Sequence, residues 1–335
     1  MGTLRCVHAL VFDAFGGPEV LSYREVPAPD IAPGTALVRT RAIGLNFADI
    51  YRRKGNYHLE GPPPFVLGYE GAGIVEAVAP DSGDATGASP IHRVGDRVAF
   101  ADVPHANAEL VRAPLDHLVS IPDAVSFESA AAVMLQGLTA QYLVRDSHVL
   151  RAGELAVVHA AAGGVGLMLV QLAKLAGAHV LALTSSTVKA DAARAAGADW
   201  TASYDEDWPA IAHERSAGRR GADVVYDAVG STLSRSLDAA RVGGHVVFYG
   251  MAGGDPAPVD PRRLMDESKS LTGGDLWNVL TSAAERKRRS DELFALVARG
   301  EVRVTIGATF PLARGADAHR LLEGRGVIGK VLLLP

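Results

Sequence analysis

The chain has 335 residues, a length typical of about two domains, and its 48% hydrophobic and 21% charged residues are typical of a globular protein. The formal net charge is −5, so there is no basic excess of the kind that nucleic-acid-binding domains show. The single cysteine, Cys6, excludes an intrachain disulfide and a four-cysteine zinc site. Glycine is over-represented, with 36 residues, and the positions of these glycines are the most informative feature.

The sequence predicts neither a targeting peptide nor a membrane segment. The N-terminus lacks the basic region, apolar run and cleavage site of a signal peptide. The longest uncharged stretch, residues 155–173, is formally long enough to span a bilayer. His159, Gln171 and the glycines at its centre interrupt it, so we interpret it as a buried strand, a turn and a buried helix. We therefore expect a cytoplasmic protein.

Residues 1–127 are predicted to be rich in β-structure. Short apolar runs at residues 36–40, 73–78 and 97–100 are separated by turn residues, a pattern typical of a small antiparallel barrel or sandwich. Residues 80–90 are polar and contain glycine, which predicts an exposed loop.

Residues 128–268 alternate between strand-like and helix-like segments, which favours a parallel sheet covered by helices on both faces. The predicted strands are residues 154–160, 179–184, 222–226 and 245–249, and the predicted helices are 127–150, 165–176 and 188–196. Residues 269–335 become mixed again, with a charged helix at 283–299 and a strand at 304–310. A last strand at 329–334 is expected to rejoin the first domain. The chain is therefore predicted to be an α/β protein.

The sharpest motif is a glycine-rich turn over residues 161–166, which follows a predicted strand and opens a predicted helix. This strand–turn–helix context is the one that a dinucleotide fingerprint requires. Gly163, Gly164 and Val165 lie in the turn; Gly163 would allow the backbone to approach the pyrophosphate, and Gly166 would allow the helix to pack on the strand. The free N–H groups of the helix N-terminus would then face the phosphates. Ala161 replaces the first glycine of the usual pattern, and a turn without a ligand is the alternative.

The second strand favours NADPH over NADH. A carboxylate that binds the ribose 2′-hydroxyl is expected about 20 residues beyond the turn. Ser185 lies 19 residues after Gly166, and residues 183–187 contain no acid. Hydroxyls there can donate to a 2′-phosphate, and Lys189 would add a positive charge; an ordinary exposed lysine is the alternative. Gly230, Tyr249 and Gly250 follow two later strands and are expected to line the floor for the ribose and nicotinamide.

These motifs carry a resemblance to a known family. Residues 159–166 (HAAAGGVG), 46–49 (NFAD) and 68–71 (GYEG) resemble the medium-chain dehydrogenase/reductase superfamily, and most of all its zinc-independent, ζ-crystallin-like quinone oxidoreductase branch. The resemblance covers essentially the whole chain. It implies a GroES-like β-rich catalytic domain (1–127 and 269–335) with an inserted Rossmann NADP(H)-binding domain (128–268), and it implies a homodimer.

The resemblance also implies that no metal is bound. Zinc-containing relatives place ligands at three positions that are Asn46, Tyr69 (beside Glu70) and Gln136 here. None of the three is a good zinc ligand, and Glu70 alone cannot hold the ion.

By resemblance, Asn46, Tyr51 and Tyr57 line the substrate site, where hydrogen-bond donors stabilise the oxygen that gains negative charge. A structural turn for Asn46 and simple packing for Tyr51 are the alternatives. For the cofactor, the resemblance adds Thr139 near the nicotinamide, Tyr204 near the 2′-phosphate, and Lys330 at the phosphates.

The sequence therefore predicts an NADPH-dependent, metal-free reductase of quinones that has a small-molecule substrate and no nucleic-acid or membrane partner. The alternatives are reduction of an activated C=C bond (an enone, alkenal or 2-haloacrylate) and a non-catalytic NADPH-binding protein.

Overall fold

Two units make up the chain, which the computed structural model describes for residues 6–59, 61–79 and 92–335. Unit 1 contains residues 1–135 and 280–335, and unit 2 contains residues 136–279. The loop predicted for residues 80–90 lies outside the described residues.

In chain order the strands are β1 (Cys6–Phe12), β2 (Ser22–Pro27), β3 (Thr35–Leu45), β4 (Phe65–Val66), β5 (Glu70–Ala79), β6 (Arg97–Ala101), β7 (Leu110–Pro114), β8 (Val119–Ser120), β9 (Leu155–Val158), β10 (His179–Thr184), β11 (Trp200–Ser203), β12 (Ala222–Asp227), β13 (Ala240–Phe248), β14 (Ser270–Gly273), β15 (Ile306–Pro311) and β16 (Lys330–Leu334). The α-helices are α1 (Phe47–Arg53), α2 (Phe127–Tyr142), α3 (Gly164–Leu175), α4 (Thr187–Ala195), α5 (Trp208–Arg215), α6 (Leu233–Ala239), α7 (Pro261–Glu267), α8 (Ala283–Ala298) and α9 (Gly315–Glu323). A π-helical turn, Leu143–Ser147, continues α2.

Unit 1 is built on a seven-stranded sheet in which β15, β16, β3, β5, β6 and β8 follow one another and β7 also pairs with β3. A second sheet has the order β2-β1-β4. The last strand, β16, pairs antiparallel with β3, with Val331 opposite Leu45, so the prediction that the C-terminal strand rejoins the first domain is confirmed.

Hydrophobic cores lie on both faces of β1 in unit 1. Ala9 and Val11 pack into one cluster, while Leu10 and Phe12 pack into another. Since successive side chains of a strand point to opposite faces, β1 is buried on both sides. Burial on both faces explains why these apolar residues follow one another along β1 without alternating with polar ones.

Unit 2 is a six-stranded sheet with the order β11-β10-β9-β12-β13-β14, and every pair in it is parallel. Numbered within the unit this order is 3-2-1-4-5-6, that of a Rossmann fold. The strand order reverses between β9 and β12, which is where such sheets bind ligands at their carboxyl ends. The predicted combination of a GroES-like β-rich unit and a Rossmann unit is confirmed.

The predicted domain boundaries, after residues 127 and 268, differ from the observed divisions after residues 135 and 279. Helix α2 is continuous across the first division, so its start at Phe127 does not mark the end of unit 1. Strand β14 extends the Rossmann sheet beyond residue 268 because Ser270 pairs with His245 of β13.

Candidate functional site

The glycine-rich turn connects β9 to α3 at the point where the strand order of unit 2 reverses. Helix α3 begins at Gly164, and Gly163 is its N-cap residue in an extended conformation. The turn is closed by a hydrogen bond from the Gly163 N–H to the Ala160 oxygen, at 2.8 Å. The sequence-predicted strand–turn–helix unit is therefore present, with free N–H groups at the helix start.

Close packing explains two of the turn glycines. A Cβ at Gly166 would lie 2.4 Å from the Ala160 oxygen, and a Cβ at Gly164 would lie 1.7 Å from the Gln136 Oε1. Gly166 thus allows α3 to pack on the turn, as its place in the motif predicts. The contact of Gly164 with Gln136 was not predicted.

A buried polar network lies beneath this turn and was not predicted either. Asp227, at the end of β12, accepts hydrogen bonds from the N–H groups of Val229 (2.8 Å) and Gly230 (3.0 Å). Ser236 donates to its Oδ2 at 2.7 Å and lies 3.1 Å from the Nε2 of His159. All three of the side chains, from His159, Asp227 and Ser236, are fully buried. The network ties the strand that precedes the glycine turn to the loop that carries Gly230.

Burial dominates the protonation of this network. It lowers the pKa of His159, against the attraction of Asp227, so the imidazole is neutral. Burial opposes ionisation of Asp227, but His159 and the hydrogen bonds from Ser236 and the 229–230 backbone hold its pKa below the usual value. A neutral His159 therefore bonds to an ionised Asp227 through Ser236, with its Nε2 as the donor.

The residues predicted to bind the 2′-phosphate, Ser185 and Lys189, contact each other just after the end of β10. Ser185 follows this strand, and the Nζ of Lys189 donates to its Oγ at 3.2 Å. Ser186 caps α4 by accepting from the backbone N–H of Lys189. Ser185 is exposed and Lys189 is partly exposed.

Tyr204 lies at the same edge but contacts a different group. It follows β11, whose Ser203 pairs with Thr184 of β10, so Tyr204 and Ser185 leave adjacent strands. Its hydroxyl accepts the Ala160 N–H at 2.8 Å, and burial raises its pKa well above the ordinary value. The structure thus places the Tyr204 hydroxyl against the glycine turn, at the end of the strand next to the one that carries Ser185.

The remaining unit 2 residues lie on α2 and at strand ends. Gly230, with φ of +84°, has a backbone conformation that favours glycine, and a Cβ there would lie 2.3 Å from the Gly254 oxygen. Tyr249 is tied to β12 by its N–H bond to the Asp227 oxygen, and Gly250 follows it. Thr139 is buried in α2.

In unit 1, Asn46 begins helix α1. Its side chain and that of Asp49 form a capping box, in which the Asp49 Oδ2 accepts the backbone N–H of Asn46 at 2.9 Å. Asp49 is buried, and burial raises its pKa, although Arg52 and other groups oppose this. The alternative that Asn46 is a structural turn residue therefore has a physical basis, and so does a positioning role for Asp49.

The amide of Asn46 is held by a buried ion pair. Its Nδ2 donates to the Glu70 Oε2 (2.9 Å) and to the Gly44 oxygen (3.3 Å), while its Oδ1 accepts from the Lys330 Nζ (2.9 Å). Lys330 also contacts Glu70 at 2.5 Å, and the Leu135 N–H donates to the other carboxylate oxygen. An ammonium can only donate and a carboxylate can only accept, so these partners fix the direction of the amide.

This arrangement bears on two expectations. Lys330 is 1% exposed, and within unit 1 its ammonium contacts Asn46 and Glu70, where the resemblance implies cofactor phosphates. Both amide hydrogens of Asn46 have acceptors in unit 1, which argues against this amide as the donor to a substrate oxygen. The sequence could not show either fact, because the Lys330–Asn46 contact joins residues 284 positions apart.

Tyr51 and Tyr57 belong to an aromatic cluster, which we define as Phe47, Tyr51, Tyr57 and Tyr69. The ring centroids of Phe47 and Tyr51 are 6.2 Å apart, and those of Tyr51 and Tyr57 are 6.4 Å apart. The guanidinium carbon of Arg52 lies 3.7 Å from the Tyr69 ring centroid and 4.9 Å from that of Tyr57. The sequence predicted the two tyrosines but not the contacts of Arg52 with the rings of Tyr57 and Tyr69.

Two further features bear on function. Among residues 6–59, 61–79 and 92–335, no three His, Cys, Asp or Glu side chains are grouped so that they could hold a metal ion. None of the helices in this described part is both long and apolar enough to cross a membrane.

Comparison with known proteins agrees with this architecture. The family model of the alcohol dehydrogenase GroES-like domain matches residues 32–152, and that of zinc-binding dehydrogenases matches residues 164–310. A quinone oxidoreductase of Pseudomonas aeruginosa is 42% identical over 327 residues, which cover 97% of this chain and 98% of that protein. A 2-haloacrylate reductase of a Burkholderia species is 36% identical, covering 98% of this chain and 99% of that protein.

A solved structure shows the same relationship. Escherichia coli quinone oxidoreductase complexed with NADPH matches with a TM-score of 0.91 and 36% identity, over 98% of this chain and 100% of that one. The match therefore extends over both units and includes the glycine turn. The chain belongs to the quinone oxidoreductase branch of the medium-chain dehydrogenase/reductase superfamily and is an NAD(P)-dependent oxidoreductase.

Proposed function

We propose that the protein is an NADPH-dependent, metal-free reductase that transfers a hydride to quinones. The observation that carries the choice of cofactor is the contact between Lys189 and Ser185 at the end of β10. A hydroxyl and an ammonium together can donate to a 2′-phosphate, whereas no carboxylate stands at residues 183–187 to bind a 2′-hydroxyl. The NADPH bound by the Escherichia coli relative supports the same choice.

The chain's own residues would bind and orient the cofactor. The glycine turn and the start of α3 offer N–H groups to the pyrophosphate, and the Asp227 network fixes the loop that carries Gly230. The nicotinamide supplies the hydride when bound. Gly166 and Gly230 keep the backbone close-packed at the sheet edge where the cofactor would bind.

Quinone as the acceptor is supported by the aromatic cluster and by the names of two relatives. The cluster offers flat apolar faces to a planar ring, and the hydroxyls of Tyr51 and Tyr57 can donate to the oxygen that gains charge. Since the amide hydrogens of Asn46 are directed at Gly44 and Glu70, we assign the donor role to the tyrosines. Asn46 then acts as a positioning residue at the start of α1.

The metal-free character is supported by the chemistry of the three positions where zinc-containing relatives place ligands. The amide of Asn46 and the carboxylate of Glu70 already share the Lys330 ammonium, whose charge disfavours a second cation there. The ring of Tyr69 faces the Arg52 guanidinium, and a phenol beside a positive charge is a poor metal ligand. The family model is described as zinc-binding, but these residues do not fit zinc.

The test is oxidation of NADPH by the purified protein with 1,4-benzoquinone and 1,4-naphthoquinone. We expect turnover that exceeds a serum albumin blank, survives 1,10-phenanthroline, and falls in the double variant Tyr51→Phe/Tyr57→Phe. Turnover no faster than the blank would contradict the quinone assignment, and loss with the chelator would contradict the metal-free one.

A second candidate, reduction of an activated C=C bond, is favoured by the similarity to the Burkholderia 2-haloacrylate reductase. The hydride would then go to the β-carbon and a proton to the α-carbon. A panel of 2-alkenals, 2-cyclohexenone and 2-chloroacrylate separates the two candidates. The homodimer and the cytoplasmic location remain predictions.

A further inference from the structure

Of the two arginines of helix α1, Arg52 is the one whose N–H donors are incompletely matched. Only 2% of the residue is exposed. Its Nε donates to the His58 oxygen at 3.0 Å, but its Nη1 is buried and, in the part of the chain that the structure describes, has no hydrogen-bond partner. Leaving a buried charged donor unmatched is expensive, so such a group calls for an explanation.

The next residue shows what a structural arginine looks like at this position. Arg53 donates to the Gly16 oxygen and to Glu323, at 3.1 and 2.6 Å, and its Nη1 lies 3.1 Å from the Nδ1 of His319. Its guanidinium is therefore matched on every nitrogen. Arg52, one residue earlier, contacts two tyrosine rings, and the carboxylate that its charge interacts with is that of the buried Asp49 on the same helix.

Those rings belong to the aromatic cluster that we assign to the acceptor. A guanidinium stacked on tyrosine faces keeps its N–H edge available for an anion in the ring plane. Carboxylate is the group whose geometry matches that edge best. Resting on the proposed function, which supplies the acceptor site, we propose that Arg52 recognises a carboxylate on the substrate, so that the favoured acceptors are anionic conjugated acids or carboxylated quinones.

The Tyr57 ring is placed to admit such a group. The Nη1 of Arg52 is shielded, so a ligand reaches it only when a neighbour moves. Tyr57 is partly exposed and stands farther from the guanidinium than Tyr69 does. It follows Gly55, whose φ is +80°.

The test compares an acid with its neutral ester, using 2-carboxy-1,4-naphthoquinone and its methyl ester, and 2-chloroacrylate and its methyl ester. For the wild-type protein we expect the KM for each acid to be at least tenfold lower than the KM for its methyl ester. Arg52→Met should raise the KM for the acids at least tenfold while kcat and the ester KM change less than twofold. Arg52→Lys keeps the charge but not the planar arrangement of N–H donors, so its KM for the acids should lie between those of the wild type and Arg52→Met.

The matched control is Arg41→Met, which removes an exposed arginine of unit 1 and should leave all four substrates unchanged. Equal effects of Arg52→Met on acid and ester, or no effect on either, would overturn the proposal.

A binding experiment separates this proposal from the quinone assignment. Calorimetry with 1-naphthoate and with 1-naphthamide, neither of which is used as a hydride acceptor, needs no turnover. With NADP⁺ present, we expect the wild type to bind the acid at least tenfold more tightly than the amide. Arg52→Met should bind the acid and the amide with equal affinity. If the quinones are not reduced but this difference holds, the proposed function fails and the carboxylate site stands; no preference for the acid overturns the site.

Discussion

The Nζ of Lys330 lies 2.9 Å from the Oδ1 of Asn46, and this contact joins the last strand of unit 1 to the start of helix α1. The same ammonium pairs with Glu70, which is fully buried. The cluster is thus a closed set of charged and polar groups in which each member depends on the others. Removing the cation leaves a carboxylate with two N–H donors and no counter-charge.

We expect Lys330→Met to lower the free energy of unfolding by about 3–5 kcal/mol, the usual cost of breaking a buried ion pair from one side. The double variant Lys330→Met/Glu70→Gln should recover most of that loss, because no unpaired charge remains buried. Urea denaturation of the three proteins measures both effects. A double variant that is no more stable than Lys330→Met would show that the pair is not coupled.

The second prediction concerns Lys189 and the choice between NADPH and NADH. Lys189→Ala should weaken NADPH binding about tenfold, or about 1.4 kcal/mol, while NADH binding stays unchanged, because only NADPH carries the 2′-phosphate. Calorimetry at low and high salt measures the affinities, and the NADPH effect should shrink with salt. Arg194→Ala, at the other end of α4, is the control. Equal losses for both cofactors would contradict the assignment of Lys189.

The sequence predicted the parts of the site that rest on local pattern. The glycine turn, the absence of an acid near Ser185 and the alternation of strands and helices are all properties of short segments, and the strand at His179–Thr184 was predicted to the residue. Such features follow from backbone sterics and from the period of apolar residues.

The parts that rest on distant contacts could not be predicted. Asn46 was expected to donate to substrate, but the direction of its amide is set by Glu70 and Lys330, which lie far away in the chain. Likewise, nothing near His159 in the sequence shows that Ser236 will bond to it. Helix α1 was not predicted. A capping box formed by Asn46 and Asp49 marks its start, but Asn46 was interpreted as a substrate-site residue and not as a helix cap.

The third prediction is a pH dependence of stability that arises at His319. Burial lowers the pKa of this imidazole to about 3; Arg53 adds to the effect and Glu323 opposes it. The folded pKa lies below the unfolded value, so the unfolded chain takes up the proton first. The contribution of His319 is therefore complete above about pH 6.5 and is lost as the pH falls from there toward about 3.

Between pH 7.5 and pH 5 this loss should amount to about 2 kcal/mol. His319→Gln should show a smaller change in unfolding free energy over that interval, measured by urea denaturation at several pH values. His58→Gln, at an exposed position, should behave as the wild type. A variant that keeps the full wild-type slope would place the titrating group elsewhere.

The last prediction concerns the close packing of the glycine turn. In Gly166→Ala the new methyl group would lie 2.4 Å from the Ala160 oxygen, a backbone atom that can move only if the turn moves. Overpacking of this kind costs about 1–3 kcal/mol, and a displaced turn presents its N–H groups less well to the pyrophosphate. We therefore expect NADPH to bind at least tenfold more weakly, measured by calorimetry. Gly273→Ala is the matched control, because a Cβ there meets nothing within 4 Å, and it should bind NADPH as the wild type does. Unchanged affinity in Gly166→Ala would mean that the turn does not hold the cofactor.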